Sequence, residues 1–304
     1  MTTPDATTLA FQSHRPRLFG IAYRMLGSAE EAEDTVQDAY LRWRAADRSD
    51  VGHPGAFLAR TVTRLCLNRL DSARARREVY TGPWLPEPVL TGSGVLGPLE
   101  SAEQRDQVSM ALLVLLEQLT PAERAVYVLR EAFGYGHREI AGLLELSEAN
   151  CRQLYRRAGT RLAGRRPRFT ADDGRWHELV DRFLTAAREG DLAGLERLLA
   201  TDVVCVSDGG DQVSAARRPV VGRDKAARYL LGTLERFAAG LALTPVEVNG
   251  GPGVLVGPPE APLCALALDF RDGLLEAVRT VVNPEKLVFL RGQLSHSGGP
   301  SGLS

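Results

Sequence analysis

Seven arginines and no acidic residue lie between positions 149 and 168 of this 304-residue chain. Arginine pairs bidentately with phosphate oxygens and with the O6/N7 edge of guanine, while Asn and Gln amides pair in the same way with adenine. Recognition of nucleic acid is therefore the chemistry that this segment is equipped to perform. The candidate residues are Asn150, Arg152, Gln153, Arg156, Arg157 and Arg161.

A helix-turn-helix is predicted to position these side chains. A short helix over 137–144 is followed by a turn and by a second helix that Ser147 caps. Apolar residues recur at i, i+3, i+7 and i+11 along the second helix, which predicts one buried stripe of Cys151, Leu154, Ala158 and Leu162. The opposite face, basic and amide-bearing, suits a DNA major groove. A solvated basic helix in a helical bundle is the alternative.

Charge is distributed unequally along the chain, although its net charge is only −1. Residues 57–80 carry six arginines against Asp71 and Glu78, a net of +4, whereas residues 169–304 carry 14 Lys+Arg against 18 Asp+Glu, a net of −4. A GC-rich genome would also enrich arginine, so this bias does not decide the function. An acidic domain joined to basic surfaces is expected to dock on them within one chain.

Helix and turn signals divide the first half into three parts. Residues 11–79 predict helices, one of which begins at Ser28 with Glu31 as a capping box. Apolar residues recur at helical spacing along this helix and predict one stripe of Ala32, Val36, Ala39, Tyr40 and Trp43. Residues 80–98 hold four prolines and four glycines, so they predict a linker, on which Trp84 is expected to dock against a neighbouring surface. Residues 99–168 return to helix, with a strong start at Thr120-Pro121-Ala122-Glu123.

The second half has a different pattern, typical of an α+β domain over 175–292. Helices are predicted over 175–189, 191–200 and 223–239, and strands over 203–206, 241–248, 263–270 and 274–282. Asn249-Gly250-Gly251 and Arg271-Asp272-Gly273 supply turns between the later strands. The last part, residues 293–304, is rich in Gly and Ser and predicts a disordered tail.

Several classes of protein are disfavoured by the same sequence. The longest uninterrupted apolar run, Met110 to Leu116, is seven residues, against the roughly 18 needed to span a bilayer. The first ten residues lack the basic start and apolar stretch of a signal peptide. The four cysteines form no CxxC pair and are expected to be buried thiols. We therefore expect a cytoplasmic protein with no membrane partner, no metal and no cofactor.

Several motifs in order resemble one family over about residues 11–292. Residues 15–43, RPRLFGIAYRMLGSAEEAEDTVQDAYLRW, are similar to region 2 of the bacterial extracytoplasmic-function (ECF) sigma factors, and residues 119–162 are similar to region 4. Further motifs resemble the SigJ-like subgroup, which carries a fused SnoaL-like domain. They are Trp84-Leu85-Pro86-Glu87-Pro88, Asp208-Gly209-Gly210, Ala215-Ala216-Arg217-Arg218-Pro219, Val220-Val221-Gly222-Arg223 and Asn283-Pro284-Glu285-Lys286-Leu287.

The resemblance implies a transcription initiation factor with two all-α modules and an α+β cone of the NTF2/SnoaL type. Its partners would be core RNA polymerase, through the β′ clamp and β flap, and promoter DNA, with region 4 on the −35 element. The implied −10 DNA contacts are Arg60, Arg64, Asn68 and Arg69. The implied polymerase-facing residues are Glu33, Asp34, Asp38 and Trp43. The implied regulatory contacts between domains are Trp84, Leu85, Pro86, Asp208, Asn283 and Lys286.

The fused domain is expected to regulate the chain in cis rather than to act as an enzyme. Relatives of the cone fold include cyclases and isomerases that use a buried Asp or His as general base, for which His177, Asp208 and Asp269 are the available residues. A small ligand in the cone is a further possibility. The alternative function is a helix-turn-helix regulator with a ligand-sensing C-terminal domain, which would bind promoters without polymerase.

Two positions depart from the patterns of the family. Glu145 stands where turns of this kind often carry glycine, so a left-handed backbone there would be strained. Asp211 stands where the subgroup's aspartate-glycine motif usually has a third glycine.

Overall fold

The computed structural model describes residues 6–46, 53–78, 80–93, 95–96, 102–163 and 173–296. The chain folds into two compact units. The helical unit comprises 1–79, 94–100 and 112–166, and the C-terminal unit comprises 80–93, 101–111 and 167–304. Part of the segment predicted as a linker is thus integrated into the C-terminal unit.

Three helices build the first half of the helical unit: α1 (Ala6–Leu26), α2 (Ala29–Ala45) and α3 (Pro54–Glu78). The Ser28 hydroxyl accepts a hydrogen bond of 3.0 Å from the Glu31 amide, so the predicted cap of α2 is present. The predicted apolar stripe of α2 is buried at Ala32, Val36 and Ala39. Burial of this stripe fixes which side of α2 faces outward.

The second half of the unit contains α5 (Met110–Leu116), α6 (Pro121–Glu131), α7 (His137–Leu144) and α8 (Glu148–Leu162), which follow the short helix α4 (Ala102–Asp106). Helix α6 begins with the predicted capping box. The Glu123 carboxylate accepts from the Thr120 amide at 3.0 Å, and the Thr120 hydroxyl accepts from the Glu123 amide at 3.4 Å.

A buried arginine joins the two halves of the helical unit. Arg124 of α6 is 2% exposed, and its Nε donates to the carbonyl of Arg24 on α1 at 3.0 Å. Burial lowers the pKa of Arg124 to about 9. Arg17 and Arg24 of α1 also lie over the Phe133 ring, at 5.4 and 5.2 Å from its centroid.

In its described residues the C-terminal unit combines α4 and four later α-helices with a six-stranded sheet. The later helices are α9 (Asp173–Glu189), α10 (Leu192–Leu198), α11 (Arg223–Phe237) and α12 (Val288–His296). The strands are β1 (Leu199–Asp208), β2 (Val220–Val221), β3 (Leu243–Val248), β4 (Gly251–Val256), β5 (Cys264–Arg271) and β6 (Leu274–Val281), in the order β2-β1-β6-β5-β4-β3. Strands β1 and β6 pair in parallel, and the other neighbours pair antiparallel.

Both faces of this sheet carry buried residues. One face packs with α9, α10 and α11 in a core that includes Phe183, Cys205, Leu230 and Leu268. Because side chains alternate along a strand, Asp208 and Val248 belong to the opposite face, where both are at most 2% exposed. Residues 80–93 are hydrogen-bonded at the edge and end of this face.

The predicted fold class, two helical modules followed by an α+β domain, is confirmed. Both predicted turns are hairpins with positive φ, at Asn249 (φ 54°) and Gly250 (φ 70°) and at Asp272 (φ 52°) and Gly273 (φ 77°). Strands β2 and β4 were not predicted, because a two-residue strand and the glycine- and proline-bearing run GPGVLV carry little β signal.

Three other expectations concern the C-terminal tail, membrane-spanning segments and the cysteines. Helix α12 extends to His296, so the start of the predicted tail is helical, and the rest of that tail lies outside the described residues. None of the described helices combines the length and apolar character that a membrane crossing requires. As predicted, Cys66, Cys151 and Cys205 are buried, while Cys264 is partly buried.

Candidate nucleic-acid interface

The helix-turn-helix has the predicted geometry. Helix α7 ends at Leu144, and the Ser147 hydroxyl accepts from the Asn150 amide at 3.2 Å to cap α8. The predicted stripe is buried, with Cys151 and Ala158 fully enclosed and Leu154 and Leu162 nearly so. This burial turns the basic and amide side chains of α8 to the outside.

The outward face of α8 contains three polar side chains available for contacts. Asn150, Gln153 and Arg156 are exposed, and none of their side chains has a hydrogen-bonding or ionic partner within the described part of the chain. Arg152 is also exposed but forms an ion pair one turn away, with 2.8 Å between its Nη1 and Glu148 Oε1. Arg165, Arg166 and Arg168 of the same basic segment lie outside the described residues.

The other two arginines predicted on this face are held by Glu123. Arg157 Nε lies 2.9 Å from Glu123 Oε1, and Arg161 Nη1 lies 2.6 Å from Glu123 Oε2. Burial of the carboxyl opposes ionisation, but the Thr120 hydrogen bonds and the two arginines outweigh it and hold the pKa of Glu123 below its ordinary value. The capping acid of α6 thereby orients α8, which the capping-box pattern did not reveal.

The second predicted DNA-contacting surface lies on α3. Arg60 and Arg64, one turn apart, both form ion pairs with the Glu145 carboxylate at the turn of the helix-turn-helix. Glu145 has the left-handed conformation expected from its position, with φ 57° and ψ 43°. Asn68 is exposed on the same helix. Arg69 instead donates to Asp38 at 2.7 Å and lies 3.9 Å from Asp34.

The acidic surface of α2 contains three of the four residues predicted to face polymerase. Asp34 and Asp38 contact Arg69, and Glu33 pairs with Arg15 at 2.5 Å. Trp43 corrects the prediction: it is 3% exposed, and its indole nitrogen donates to the Thr7 carbonyl at 3.0 Å. Trp43 belongs to the apolar stripe of α2, whose period places it on the inner side of the helix.

A buried polar cluster joins residues 80–85 to the end of β1. Asp208, fully buried, accepts from the Tyr80 hydroxyl at 2.6 Å, from the Leu85 amide at 2.7 Å and from Lys286 Nζ at 2.6 Å. Lys286 Nζ also donates to the Leu85 carbonyl at 2.6 Å. We call Tyr80, Leu85, Asp208, Asn283 and Lys286 the linker clip, since Asn283 Nδ2 completes it with a bond of 2.9 Å to Tyr80 Oη.

Aromatic rings enclose the cation of the linker clip. Lys286 Nζ lies 4.7 Å from the centre of the Tyr80 ring and 4.3 Å from that of Trp84. Burial and the bond to Asp208 raise the pKa of the Tyr80 hydroxyl above its ordinary value. Gly210 has φ 57°, and a Cβ there would lie 2.6 Å from Asn283 Nδ2, so the cluster needs glycine at this position.

A second set of bonds secures residues 89–91. Asn249 donates its backbone N–H to the Val89 carbonyl at 2.9 Å, and its side-chain oxygen accepts from the Val89 amide at 3.2 Å. The Asn249 amide group also donates to the Val108 carbonyl at 3.1 Å. Gln293 of α12 bonds both backbone groups of Leu90. Asn249, Gln293 and Tyr80 were not predicted as contacts, since a turn residue, a tail residue and a linker residue offer no spacing signal.

The residues considered for catalysis have other partners. Asp208 belongs to the linker clip, Asp269 forms an ion pair with Arg279, and the His177 ring stacks on Trp176 with 3.8 Å between ring centres. Of the predicted regulatory residues, Leu85, Asp208, Asn283 and Lys286 are thus brought together with Trp84, and Pro86 follows them in the chain. Asp211, which stands where the subgroup's motif usually has a third glycine, is exposed.

Comparison with known families agrees with this geometry. Residues 10–76 match the family described as Sigma-70 region 2, and residues 109–162 match Sigma-70, region 4. These two matches fall on α1–α3 and on α5–α8. A chain with both regions is a sigma-70-type transcription factor.

Longer matches define the family more closely. The chain is 37% identical over 287 residues to the ECF RNA polymerase sigma factor SigJ of Mycobacterium tuberculosis, covering 91% of each chain. It is 31% identical over 296 residues to a probable ECF sigma factor, SigI, of the same organism, covering 97% of this chain and 99% of that one. The chain belongs to the ECF RNA polymerase sigma factors, a family of transcription initiation factors and not of enzymes.

The full fold is also shared with a solved structure. The crystal structure of the M. tuberculosis extracytoplasmic function sigma factor SigJ superposes with a TM-score of 0.74 at 32% identity, covering 92% of this chain and 98% of that one. The predicted family is therefore confirmed over both the helical unit and the C-terminal unit.

Proposed function

We propose that this ECF sigma factor reads the −35 element with α8, contacts the opened −10 element with α3 and binds polymerase through α2. The observation that carries the proposal is the capped recognition helix whose Asn150, Gln153 and Arg156 point outward without partners among the described residues. Amide and guanidinium groups on one exposed helix face are what base-edge recognition in a major groove requires.

The ion pairs divide the predicted −35 residues into two roles. Asn150, Gln153 and Arg156 are assigned to the bases. Arg157 and Arg161 hold α8 on Glu123, so their primary role is to orient the helix, with their remaining donors available to phosphate oxygens. Arg152 is assigned to phosphate after release from Glu148, because its ion pair is exposed and therefore weak.

The polymerase contact is assigned to the acidic face of α2 at Glu33, Asp34 and Asp38, directed at the β′ clamp, and region 4 is assigned to the β flap. The exposed side chain of Leu41, on the same helix, adds an apolar group to this surface. Arg69 then positions Asp34 and Asp38 rather than contacting DNA. No catalytic role is assigned to the C-terminal unit.

Regulation in cis is assigned to the linker clip. Residues 80–93 lie in the chain between α3 and α5, and the clip bonds them to the C-terminal unit. The conformation of the segment that joins the two DNA-contacting modules is therefore set by the C-terminal unit. In this proposal the clip restrains those modules before polymerase binds, and its release permits promoter engagement.

Run-off transcription with core polymerase tests the regulatory proposal in the full chain. Lys286→Met removes the cation of the clip and leaves the chain length unchanged. It is expected to raise basal transcription several-fold, whereas Lys225→Met, at the only other lysine, leaves it unchanged. Equal transcription and equal promoter affinity for both variants would discard cis-regulation through the clip.

Binding to core polymerase separates the proposal from an ordinary helix-turn-helix regulator. A pull-down with purified core enzyme retains the chain if α2 forms a polymerase contact, and reversing the charges at Asp34 and Asp38 abolishes retention. A regulator that acts without polymerase would bind promoter fragments equally well in the absence of core enzyme.

A further inference from the structure

The turn of the helix-turn-helix covers part of the DNA-contacting surface of α3. Arg60 and Arg64 lie four residues apart, so both guanidinium groups project from one side of the helix. Both form ion pairs with the single carboxylate of Glu145, which lies between α7 and α8. The two guanidinium groups form an anion site on α3, and the Glu145 carboxylate of the same chain fills it.

The backbone of Glu145 indicates that this arrangement is specific. A residue with φ 57° and ψ 43° is in the left-handed region, where a side chain is strained and glycine is favoured. From this backbone the Glu145 side chain reaches α3, where its carboxylate pairs with Arg60 and Arg64. The chain thus has a carboxylate-bearing residue at a backbone position that glycine would adopt with less strain.

The guanidinium groups that pair with Glu145 are also able to bind a DNA phosphate. A carboxylate and a phosphodiester are both anionic oxygen acceptors, and arginine binds either through the same donors. Arg60 and Arg64 are each about two-fifths exposed, with side-chain values of 42% and 41%, so a backbone phosphate reaches them once the carboxylate leaves. Glu145 itself is 60% exposed, so neighbouring side chains do not trap it there.

We propose that Glu145 is an internal phosphate mimic that occupies the Arg60/Arg64 anion site until the phosphodiester backbone of opened promoter DNA displaces it. The two helical modules are held together at this point while the site is filled. Displacement of Glu145 moves the turn between α7 and α8 away from α3, so filling the site with DNA and separating the modules are one event. This inference rests on the proposed role of α3 in contacting single-stranded DNA.

Binding of a single-stranded probe tests the mimic in the full chain. Fluorescence anisotropy with labelled dT12 is measured over a range of salt concentrations for the wild type, Glu145→Gln and Glu145→Gly. Both variants are expected to bind dT12 roughly two- to tenfold more tightly, because the competing carboxylate is gone. The slope of log affinity against log salt is expected to stay close to that of the wild type, because DNA displaces Glu145 in the wild type and the same phosphates are then neutralised in every complex, at about 0.7 each.

Two controls separate the mimic from a general effect of charge. Glu235→Gln, the same charge change at an exposed position of α11, leaves dT12 affinity unchanged. In a background of Arg60→Ala and Arg64→Ala, Glu145→Gln no longer increases affinity. The proposal is overturned if Glu145→Gln binds as the wild type does, or if its gain persists in the double-alanine background.

The two proposals fail in distinguishable ways. If Arg60→Ala/Arg64→Ala retains full promoter-dependent transcription with core polymerase, α3 does not contact DNA as proposed. If that variant loses transcription while Glu145→Gln binds dT12 with wild-type affinity, the DNA contact stands and only the mimic is wrong. Thermal melting of Glu145→Gly, which also relieves the left-handed strain, verifies that the variants remain folded.

Discussion

Lys286 is a buried cation that pairs with the Asp208 carboxylate. Asp208 accepts from its ammonium group, two rings enclose it, and the residue is 8% exposed. Removing one partner of such a pair is strongly destabilising, because the remaining charge stays buried. Lys286→Met is therefore expected to lower the stability of the C-terminal unit by about 3–5 kcal/mol, measured by denaturant unfolding against Lys225→Met.

The same burial predicts a chemical difference between the two lysines of the chain. Lys225 is exposed on α11, whereas the Lys286 ammonium is bonded to Asp208 and Leu85. An amine-acetylating reagent should modify Lys225 rapidly and spare Lys286, as read by mass spectrometry of peptides. Asp208→Asn should make Lys286 reactive. Equal rates at both lysines in the wild type would show that the linker clip does not form.

We assign base recognition to a few exposed side chains of α8. Arg156→Ala should reduce holoenzyme affinity for its selected −35 sequence by about 1–3 kcal/mol and relax the preference at one position. The measurement is selection from a promoter library randomised at the −35 element, with Arg228→Ala on α11 as the exposed-arginine control. An unchanged preference for Arg156→Ala would contradict the placement of the recognition face.

At the scale of elements, Glu123 links the start of α6 to α8. It accepts from Thr120 and pairs with both Arg157 and Arg161 while fully buried. Glu123→Gln retains the shape of the side chain but removes its charge. It should destabilise the helical unit by about 1–3 kcal/mol at neutral pH, since hydrogen bonds to charged groups are lost.

The lowered pKa of Glu123 gives this contribution a defined pH dependence. The folded state binds fewer protons than the unfolded state between the two pKa values, so stability rises with pH across that window. The contribution is complete above the ordinary carboxyl pKa and is lost as pH falls through the lowered value. The difference in melting temperature between wild type and Glu123→Gln should therefore shrink on acidification. A difference that stays constant would contradict it.

Local patterns predicted the elements well where one rule decides them. Ser147, Thr120 and the i, i+3, i+7 stripe of α8 gave the helix-turn-helix, because caps and helical period act within a few residues. Strand β4 was missed, since its stability comes from pairing with β3 and β5 rather than from its own composition. Trp43 was assigned both to the apolar stripe of α2 and to its polymerase-facing side. Its burial places it in the apolar stripe.

Partners far apart in sequence were the least predictable part of the site. Glu145 was noted only as a departure from glycine, and its ion-pair partner Arg60 lies 85 residues away in the sequence. Motifs carried by resemblance did indicate Leu85, Asp208 and Lys286, but the spacing of these residues gives no distance between them. Only the fold of the sheet brings the end of β1 next to residues 80–85.

For the molecule as a whole, we propose that a regulatory domain lies in the same polypeptide as the helices assigned to DNA. The linker clip holds residues 80–85, between α3 and α5, through bonds centred on the Asp208 carboxylate and the Lys286 ammonium group. An intramolecular contact of this kind acts at high effective concentration, so even a modest loss of affinity changes the occupied fraction. Regulation would therefore respond to changes within the C-terminal unit.

This chain is expected to give core RNA polymerase the ability to start transcription at particular promoters. Genomic fragments are first selected by binding to polymerase reconstituted with the full chain. Each selected fragment is then transcribed in a run-off assay by core polymerase, once with the chain and once without it. Defined transcripts that require the chain and weaken with Arg156→Ala are the predicted result. Core polymerase that neither binds the chain nor changes its start sites would contradict the account.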